Sequence, residues 1–501
     1  MIDQLTPTLL LSIILAYFAV LMLISWWTGR NADNQDFFLA GRKSPWLLVA
    51  IGMIGASLSG VTFISIPGLV GAGGHNQGFS YMQMVLGYLV GYTVIALVLM
   101  PLYYRLNLTS IYGYLEQRFG WWSYKTGAAF FLLSRTLGAS LRLYLVAIVL
   151  QEFVMDDFGI PFWVTVSAAI ALIWVYTFRG GIKTIVWTDT LQTLSMLAAV
   201  VLTIFAIGEQ LGENFSGLVE RIASSDYSQV FFFDGAAGDP NNFFKQFVSG
   251  ALIAVVMTGL DQDMMQKNLS CRTLGDAQKN MFTFSVILVF ANILFVGLGA
   301  LLYLYAGSID LALPEKSDLL YPTIALEHLS PAIGVVFLIG LIAAAYSSAD
   351  SALTALTTSF CVDFLNMEKS EATSNAKKRT RLVVHIGFSL LLLFIILLVR
   401  AMDAGAVLNE LFGLAGYTYG PLLGLYAFGI LSRRRVFDAY VPGVCLAACA
   451  LTYLLKTNQL FIGFDMGYLN ILVNGLLTFG GLALFSTSFH PSENALEKTI
   501  S

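Results

Sequence analysis

The sequence predicts an all-α polytopic membrane protein, and three observations carry that prediction. Mean hydropathy is +0.75, only 12% of the residues are charged, and apolar runs of about 20 residues, the length that crosses a bilayer as a helix, recur along the chain. Soluble domains carry about 25% charge, so an ordinary soluble enzyme of 501 residues is excluded. The 45 glycines spread through apolar stretches, where they permit close helix packing or a helix break. A net charge of −4 with no basic domain argues against nucleic acid as a partner. Cys271, Cys361, Cys445 and Cys449, with His75, His328, His385 and His490, are scattered without metal-ligand spacing or a disulfide framework.

About thirteen spans can be placed, at 7–27, 47–71, 79–102, 127–151, 160–178, 188–208, 245–265, 280–306, 332–362, 382–400, 408–431, 438–455 and 467–486. The first lacks a basic leader and a small-residue cleavage site, and Arg30 follows it, so it is expected to be retained. Lys and Arg collect on the cytoplasmic side of a membrane. With the N-terminus external, twenty of the 27 basic residues, from Arg30 and Arg42 through Lys267 and Arg381 to Lys498, fall in cytoplasmic segments. Five fall outside: Arg221, Lys245, Lys316, Arg400 and Lys456. That bias also places the C-terminus inside, as an odd number of spans requires. The remaining two, Arg135 and Arg142, lie within the fourth span, seven residues apart and on nearly one helix face. Charges at that depth face a protein interior or an aqueous cavity. The longest external loops, 209–244 and 307–331, suit short amphipathic helices over an external entrance, not a separate enzyme module. Residues 1–486 form one transmembrane domain and 487–501 a cytoplasmic tail.

The second span, Gly52-Met-Ile-Gly-Ala-Ser-Leu-Ser-Gly-Val-Thr-Phe-Ile-Ser-Ile-Pro-Gly68, admits either tight packing or a helix unwound at mid-membrane. Free carbonyls of an unwound turn hold cations, and its N–H groups hold anionic solutes; Ser57, Ser59 and Thr62 add oxygens. The ninth span carries Tyr346-Ser-Ser-Ala-Asp-Ser351 and the sixth begins Trp187-Thr-Asp-Thr-Leu-Gln192. Hydroxyls alone often bond their own helix, but Asp350 and Asp189 need counter-charges. Oxygen ligands without Cys or His suit a hard cation such as sodium. The arginines either pair with a buried acid or clamp a solute carboxylate. Asp261, Gln262 and Gln266, ending the seventh span, are expected to cap that helix and tie it to a cytoplasmic loop. Gly416-Tyr-Thr-Tyr-Gly-Pro421 should bend the eleventh span, with Tyr417 or Tyr419 available to occlude a cavity. No Walker sequence or nucleophile elbow is present, so uphill transport would draw on an ion gradient or a separate protein.

These motifs together resemble the solute:sodium symporter family. The resemblance covers about 7–486 and rests on the Gly-rich second span, Arg179-Gly-Gly-Ile-Lys183 leading into the sixth span, Gly259-Leu-Asp-Gln-Asp-Met-Met-Gln266, Tyr346–Ser351 and Gly420-Pro-Leu-Leu-Gly424. It implies an inverted five-plus-five helix repeat of the APC/LeuT-like kind over 47–208 and 245–431, one extra helix at 7–27, and two at 438–486. It implies sodium as the coupled ion, one or two per cycle. The principal sodium site, site 1, would use carbonyls of Gly55, Leu58 and Ala344 and hydroxyls of Ser347 and Ser348. A second would use Asp189, Ser347, Asp350 and Ser351; Asp350 stands where a hydroxyl is common, and could bind the ion, neutralise an arginine or take a proton.

The bacterial sialic-acid branch is the most similar pattern. Leu58-Ser-Gly-Val-Thr-Phe-Ile-Ser-Ile-Pro67 is similar to its first core helix, Gln83 to a residue of the next, and Arg135 to its carboxylate-binding arginine. By that resemblance Ser59, Thr62, Gln83 and Arg135 bind substrate, with Arg142 as a charge partner or further contact. The function implied is import of a small polar organic solute, foremost N-acetylneuraminic acid, by alternating access; a sugar or amino-acid symporter is the alternative. The bacterial inner membrane is the implied location, with lipid around the protein and no obligate protein partner.

Overall fold

The structure is a computed structural model that describes residues 6–29, 34–177, 181–235, 238–401, 407–457 and 466–487. Arg30, Arg179, His490 and Lys498, and residues 488–501 of the tail, lie outside the described residues. The described chain is overwhelmingly helical. In order it runs α1 (Pro7–Gly29), α2 (Trp46–Ser57), α3 (Gly60–Leu69), α4 (Tyr81–Arg105), α5 (Trp121–Leu150), α6 (Phe162–Thr177), α7 (Ile182–Leu211) and α8 (Phe215–Ala223). It continues with α9 (Phe243–Gly259), α10 (Gln262–Leu269), α11 (Leu274–Ser308), α12 (Pro331–Ser359), α13 (Ser374–Ala401), α14 (Val407–Thr418), α15 (Gly420–Leu431), α16 (Val441–Thr457) and α17 (Asn470–Leu484). Among the described residues, eight helices are long and apolar enough to cross a membrane, three bent pairs would bring the number to eleven if each is one span, and α6 and α17 are shorter apolar helices.

The bends have identifiable local causes. Helix α2 closes when Leu58 N–H donates to Ile54 O at 2.8 Å, and Ser59, with ψ 177°, carries the chain out before α3 restarts 53° away. Helix α9 widens into a π turn at Val255–Gly259. Asp261 then adopts an extended conformation, and its carboxylate caps α10 by accepting the Asp263 and Met264 N–H groups, at a 63° bend. Pro421 in the first turn of α15 removes a backbone donor at the 45° bend between α14 and α15.

Burial separates the enclosed helices from the peripheral ones. In the most apolar stretches of the α5 and α12 spans 72% of residues are buried within the protein, against 22% for α13 and for the span that includes α16. The lipid-facing positions of α13 are correspondingly Val383, Leu390 and Phe394, all exposed. Helices α4 and α9 meet backbone to backbone: a Cβ at Gly250 would lie 2.1 Å from Met84 O, and one at Gly87 would lie 2.1 Å from Phe247 O. In the 209–244 loop, α8 is a short amphipathic helix capped by Asn214, whose side chain accepts from Gly217 N–H at 2.9 Å. Two short strands, β1 (Arg435–Val436) and β2 (Ser486–Thr487), pair antiparallel and join the segments that follow α15 and α17.

Lys267 corrects the charge count: taken with the cytoplasmic loops, it lies in α10 and is 1% exposed, because Asp189 of α7 provides a counter-charge at 2.6 Å. The backbone contact between α4 and α9 gives a direct test. Alanine is the better helix former, yet Gly250→Ala should destabilise the protein by about 1–3 kcal/mol through overpacking, read as a lower melting temperature in detergent; an unchanged or higher value would refute the packing.

Candidate functional site

The α2–α3 break lies at the centre of the enclosed helices. Breaking a helix leaves the last carbonyls of one segment and the first N–H groups of the next without intrahelical partners. A narrow cavity with about 60 Å³ open to the centres of water molecules lies alongside. The break supplies Ser57, Leu58, Ser59 and Thr62 to its wall, α4 supplies Tyr81, Tyr88 and Tyr92, and α5 supplies Arg135 and Arg142. Thr258 and Asn292 complete the polar lining, and no carboxylate is among the lining residues. Tyr81 and Tyr88 hydroxyls are 3.1 Å apart.

The two arginines have different surroundings. Arg135 is 3% exposed and pairs with Asp263 of α10. One residue pair away, the Tyr419 hydroxyl donates to Asp261 at 2.5 Å. Helix α10 is thus fastened to α5 by an ion pair and to the α14–α15 bend by a charge-assisted hydrogen bond. Arg142, 7% exposed, donates instead to Ser348 Oγ at 3.2 Å; its Nε has no acceptor. Among the described residues it has no carboxylate at ion-pair distance.

Beside the cavity, α2 lies close against both α12 and α7: a Cβ at Gly55 would lie 3.1 Å from Ser347 Oγ of α12 and would clash with Thr193 Oγ1 of α7. Among the described residues Ser347 Oγ is buried with no hydrogen bond of normal length, the Asp189 carboxylate being its nearest acidic neighbour. A buried oxygen without a donor, next to the freed carbonyl end of α2, is a fitting ligand for a hard cation. The structure therefore brings Gly55, Leu58, Ser347 and Ser348 into one region, with Ala344 one turn earlier on α12.

The second proposed set also converges. Ser351 Oγ donates to Ser347 O at 2.9 Å and lies 3.3 Å from Asp350 Oδ1 and 3.5 Å from Asp189 Oδ2. Asp350 is held by the Tyr176 hydroxyl at 2.7 Å, not by either arginine. Asp189 is held by Lys267. The cluster comprises two carboxylates and one ammonium, all buried.

Other candidates stand elsewhere. Gln83 does not line the cavity: its amide donates to Asn241 O at 2.8 Å and its oxygen accepts Phe232 N–H at 3.1 Å, so it pins the loop before α9. Tyr417 faces Tyr453 and Lys456 at the periphery, whereas Tyr419 is buried next to both arginines. Gln262 bonds Ile111 N–H and Thr109 O, and Gln266 donates to Phe38 O and Thr358 Oγ1, so with the Asp261 cap they tie α10 to its neighbours. Asp263 and Lys267 escaped sequence reasoning; their spacing of four residues places them on one side of α10, which was the available signal. Cys271, in the turn after α10, is fully buried, and burial pushes its thiol up to about 12, leaving it unreactive.

A helical bundle with broken helices around a central polar cavity, and a cluster of buried oxygens beside it, is an architecture that ion-coupled secondary transporters use. The chain belongs to the sodium:solute symporter family, whose profile it matches over residues 37–435; the family comprises transporters, not enzymes, and uses sodium. It is 25% identical to the sodium/sialic acid symporter NanT of Aliivibrio fischeri, over 92% of this chain and 91% of that protein. It is 24% identical to the sodium/sialic acid symporter SiaT of Proteus mirabilis, over 93% and 94%. The human sodium/iodide cotransporter is 26% identical over 82% and 65%. Among solved structures, a Na+-coupled sialic acid symporter in a substrate-bound outward-open state superposes with a TM-score of 0.80 at 19% identity, over 96% of this chain and 99% of that one. Mhp1, a nucleobase-cation-symport-1 family transporter, gives 0.52 at 15% identity, over 92% and 97%.

The Arg135–Asp263 pair defines a mutational cycle. Asp263→Ala leaves a buried guanidinium unpaired and should cost about 3–5 kcal/mol, while the Asp263→Ala/Arg135→Met double variant should recover most of that loss. Thermal unfolding of the purified variants measures it, and equal destabilisation in single and double variants would deny the pairing.

Proposed function

We propose that this protein is a sodium-coupled secondary active symporter that imports a small carboxylate-bearing solute by alternating access, with N-acetylneuraminic acid the leading candidate. The observation that carries this reading is Arg142, a buried guanidinium on the cavity wall with no carboxylate partner among the described residues. A charge in that position calls for an anion, and a planar guanidinium meets a carboxylate through two parallel hydrogen bonds. Family membership and the full-length similarity to two bacterial sialic acid symporters support the solute class. Ser59, Thr62 and Asn292, which share the cavity wall, would bond the remaining oxygens.

In this reading α6 and α17 also cross the membrane, giving thirteen spans. The broken helices α2–α3 and α9–α10 open two inverted five-helix repeats, at about 47–208 and 245–431, with α1 preceding them and α16 and α17 following. The charge bias supports an external N-terminus and a cytoplasmic C-terminus, and the similarity to bacterial symporters supports a bacterial inner membrane. Sodium would occupy the pocket of Gly55, Leu58, Ala344, Ser347 and Ser348, bracing α2 against α12. The Asp189, Ser347, Asp350 and Ser351 cluster is a second cation site, in which Lys267 already supplies one positive charge. Arg135, held by Asp263, fastens α10 to α5 rather than binding solute, and Tyr419, Gln262, Gln266 and Lys267 tie the same helix to its other neighbours. No covalent chemistry is involved.

The test is uptake of radiolabelled N-acetylneuraminic acid into proteoliposomes under an inward sodium gradient, with a potassium control. Sodium-dependent uptake, reduced at least about 100-fold in Arg142→Ala, the order expected when a charged bidentate contact is lost, and also lost in Ser348→Ala, is the expected result. Uptake indifferent to sodium, or undiminished in Arg142→Ala, would refute it; competition by neutral sugars or amino acids alone would redirect the solute assignment.

A further inference from the structure

Arg142 touches both candidate sites at once. Its Nη1 donates to the hydroxyl of Ser348, a candidate sodium ligand, at 3.2 Å, while the same side chain lines the solute cavity. The other deeply buried cations nearby are held in place, Arg135 by Asp263 and Lys267 by Asp189. Arg142 lacks such an anchor among the described residues, and its Nε is buried without an acceptor. Ser347 Oγ, on the adjacent residue, is buried and among the described residues makes no hydrogen bond of normal length, with the Asp189 carboxylate nearby.

The electrostatics of this arrangement have a definite sign. A cation ligated by Ser347 and Ser348 lies against a guanidinium bonded to one of its own ligands, and like charges at close range repel strongly where water is excluded. An anionic solute removes that repulsion in two ways. It draws the guanidinium from Ser348 toward the cavity, and it cancels the guanidinium charge. Resting on the sodium-coupled reading above, we propose that Arg142 is the coupling residue of the cycle: it weakens the sodium site while the cavity is empty and strengthens it when a carboxylate arrives. Because linkage is reciprocal, sodium raises affinity for the carboxylate by the same factor. A neutral analogue can fill the cavity but leaves the charge of Arg142 in place, so it lacks this coupling. Arg142 thus also sets specificity, selecting cotransport of solutes that bear an anionic group.

The test is calorimetric sodium binding to the purified full-length protein in detergent, alone, with N-acetylneuraminic acid, and with its methyl ester. For the natural chain the acid should tighten sodium binding by about tenfold, within the usual range of coupling factors, and the ester by less than about twofold. Arg142→Gln should bind sodium about tenfold more tightly than the natural chain without any solute, and the acid should no longer change that affinity. Arg142→Lys keeps the charge and should retain the weak sodium site. Arg142→Gln with unchanged sodium affinity, or with a solute effect as large as that of the natural chain, overturns the proposal, as does tight solute-free sodium binding by Arg142→Lys. Should the natural chain bind no N-acetylneuraminic acid, the solute assignment fails by itself, and the solute-free comparison of Arg142→Gln with the natural chain still decides the role of Arg142.

Discussion

The structure depends on one constraint: the interior of the bilayer offers no water, so every buried charge and every backbone polar group must find its partner within the protein or its cargo. Most of the buried charges obey it through pairs between distant helices. Asp189 of α7 meets Lys267 of α10, Asp263 of α10 meets Arg135 of α5, and Asp350 of α12 takes the Tyr176 hydroxyl of α6. Against that background the groups left over are informative. Arg142, Ser347 Oγ and the open end of α2 lie together, and each has the chemistry of a binding group.

Helix breaks make this economy possible. An unbroken α2–α3 helix would use its own carbonyls, leaving nothing to hold an ion at mid-membrane. The break at Leu58–Ser59 instead presents the end of α2 to α12 and the start of α3 to the cavity. The break at Leu260–Asp261 has a different consequence. It turns α10 63° away from α9, so that its side chains reach neighbouring segments: Asp263 meets Arg135, Lys267 meets Asp189, and Gln262 and Gln266 bond the backbone of adjoining segments. Close packing of α4 on α9 through Gly87 and Gly250 fixes α9 before that break.

Much of this was legible in the sequence because it follows from local composition. The apolar runs marked the helices, and the Gly- and Ser-rich second span allowed a break as one of two readings, between which the structure decides. Pro421 with its flanking glycines marked the bend before α15. Asp261 was expected to cap the end of the seventh span; it caps instead the start of α10 beyond a 63° break that the continuous apolar run concealed. What escaped were properties that exist only once distant segments meet. Lys267 follows an apolar stretch and so counts as a loop charge until α7 brings Asp189 to it. Asp263 is unremarkable in sequence until α5, 128 residues away, places Arg135 against it. Gln83 is polar within an apolar helix, which points equally to a ligand contact or a loop anchor; only the position of Asn241 and Phe232 separates them. Residue type and spacing left Arg135 and Arg142 interchangeable, and the family resemblance gave the carboxylate to Arg135; the structure instead pairs Arg135 with Asp263, because the two arginines share one helix face and differ only in what stands opposite.

The central claim is that the unpaired guanidinium of Arg142 receives the solute. A structure of the protein determined in sodium and N-acetylneuraminic acid tests it most directly. The account predicts the solute carboxylate within hydrogen-bond distance of Arg142, with Arg142 withdrawn from Ser348 and Arg135 still on Asp263. A carboxylate bound to Arg135 with Asp263 displaced, and Arg142 unmoved on Ser348, would contradict it.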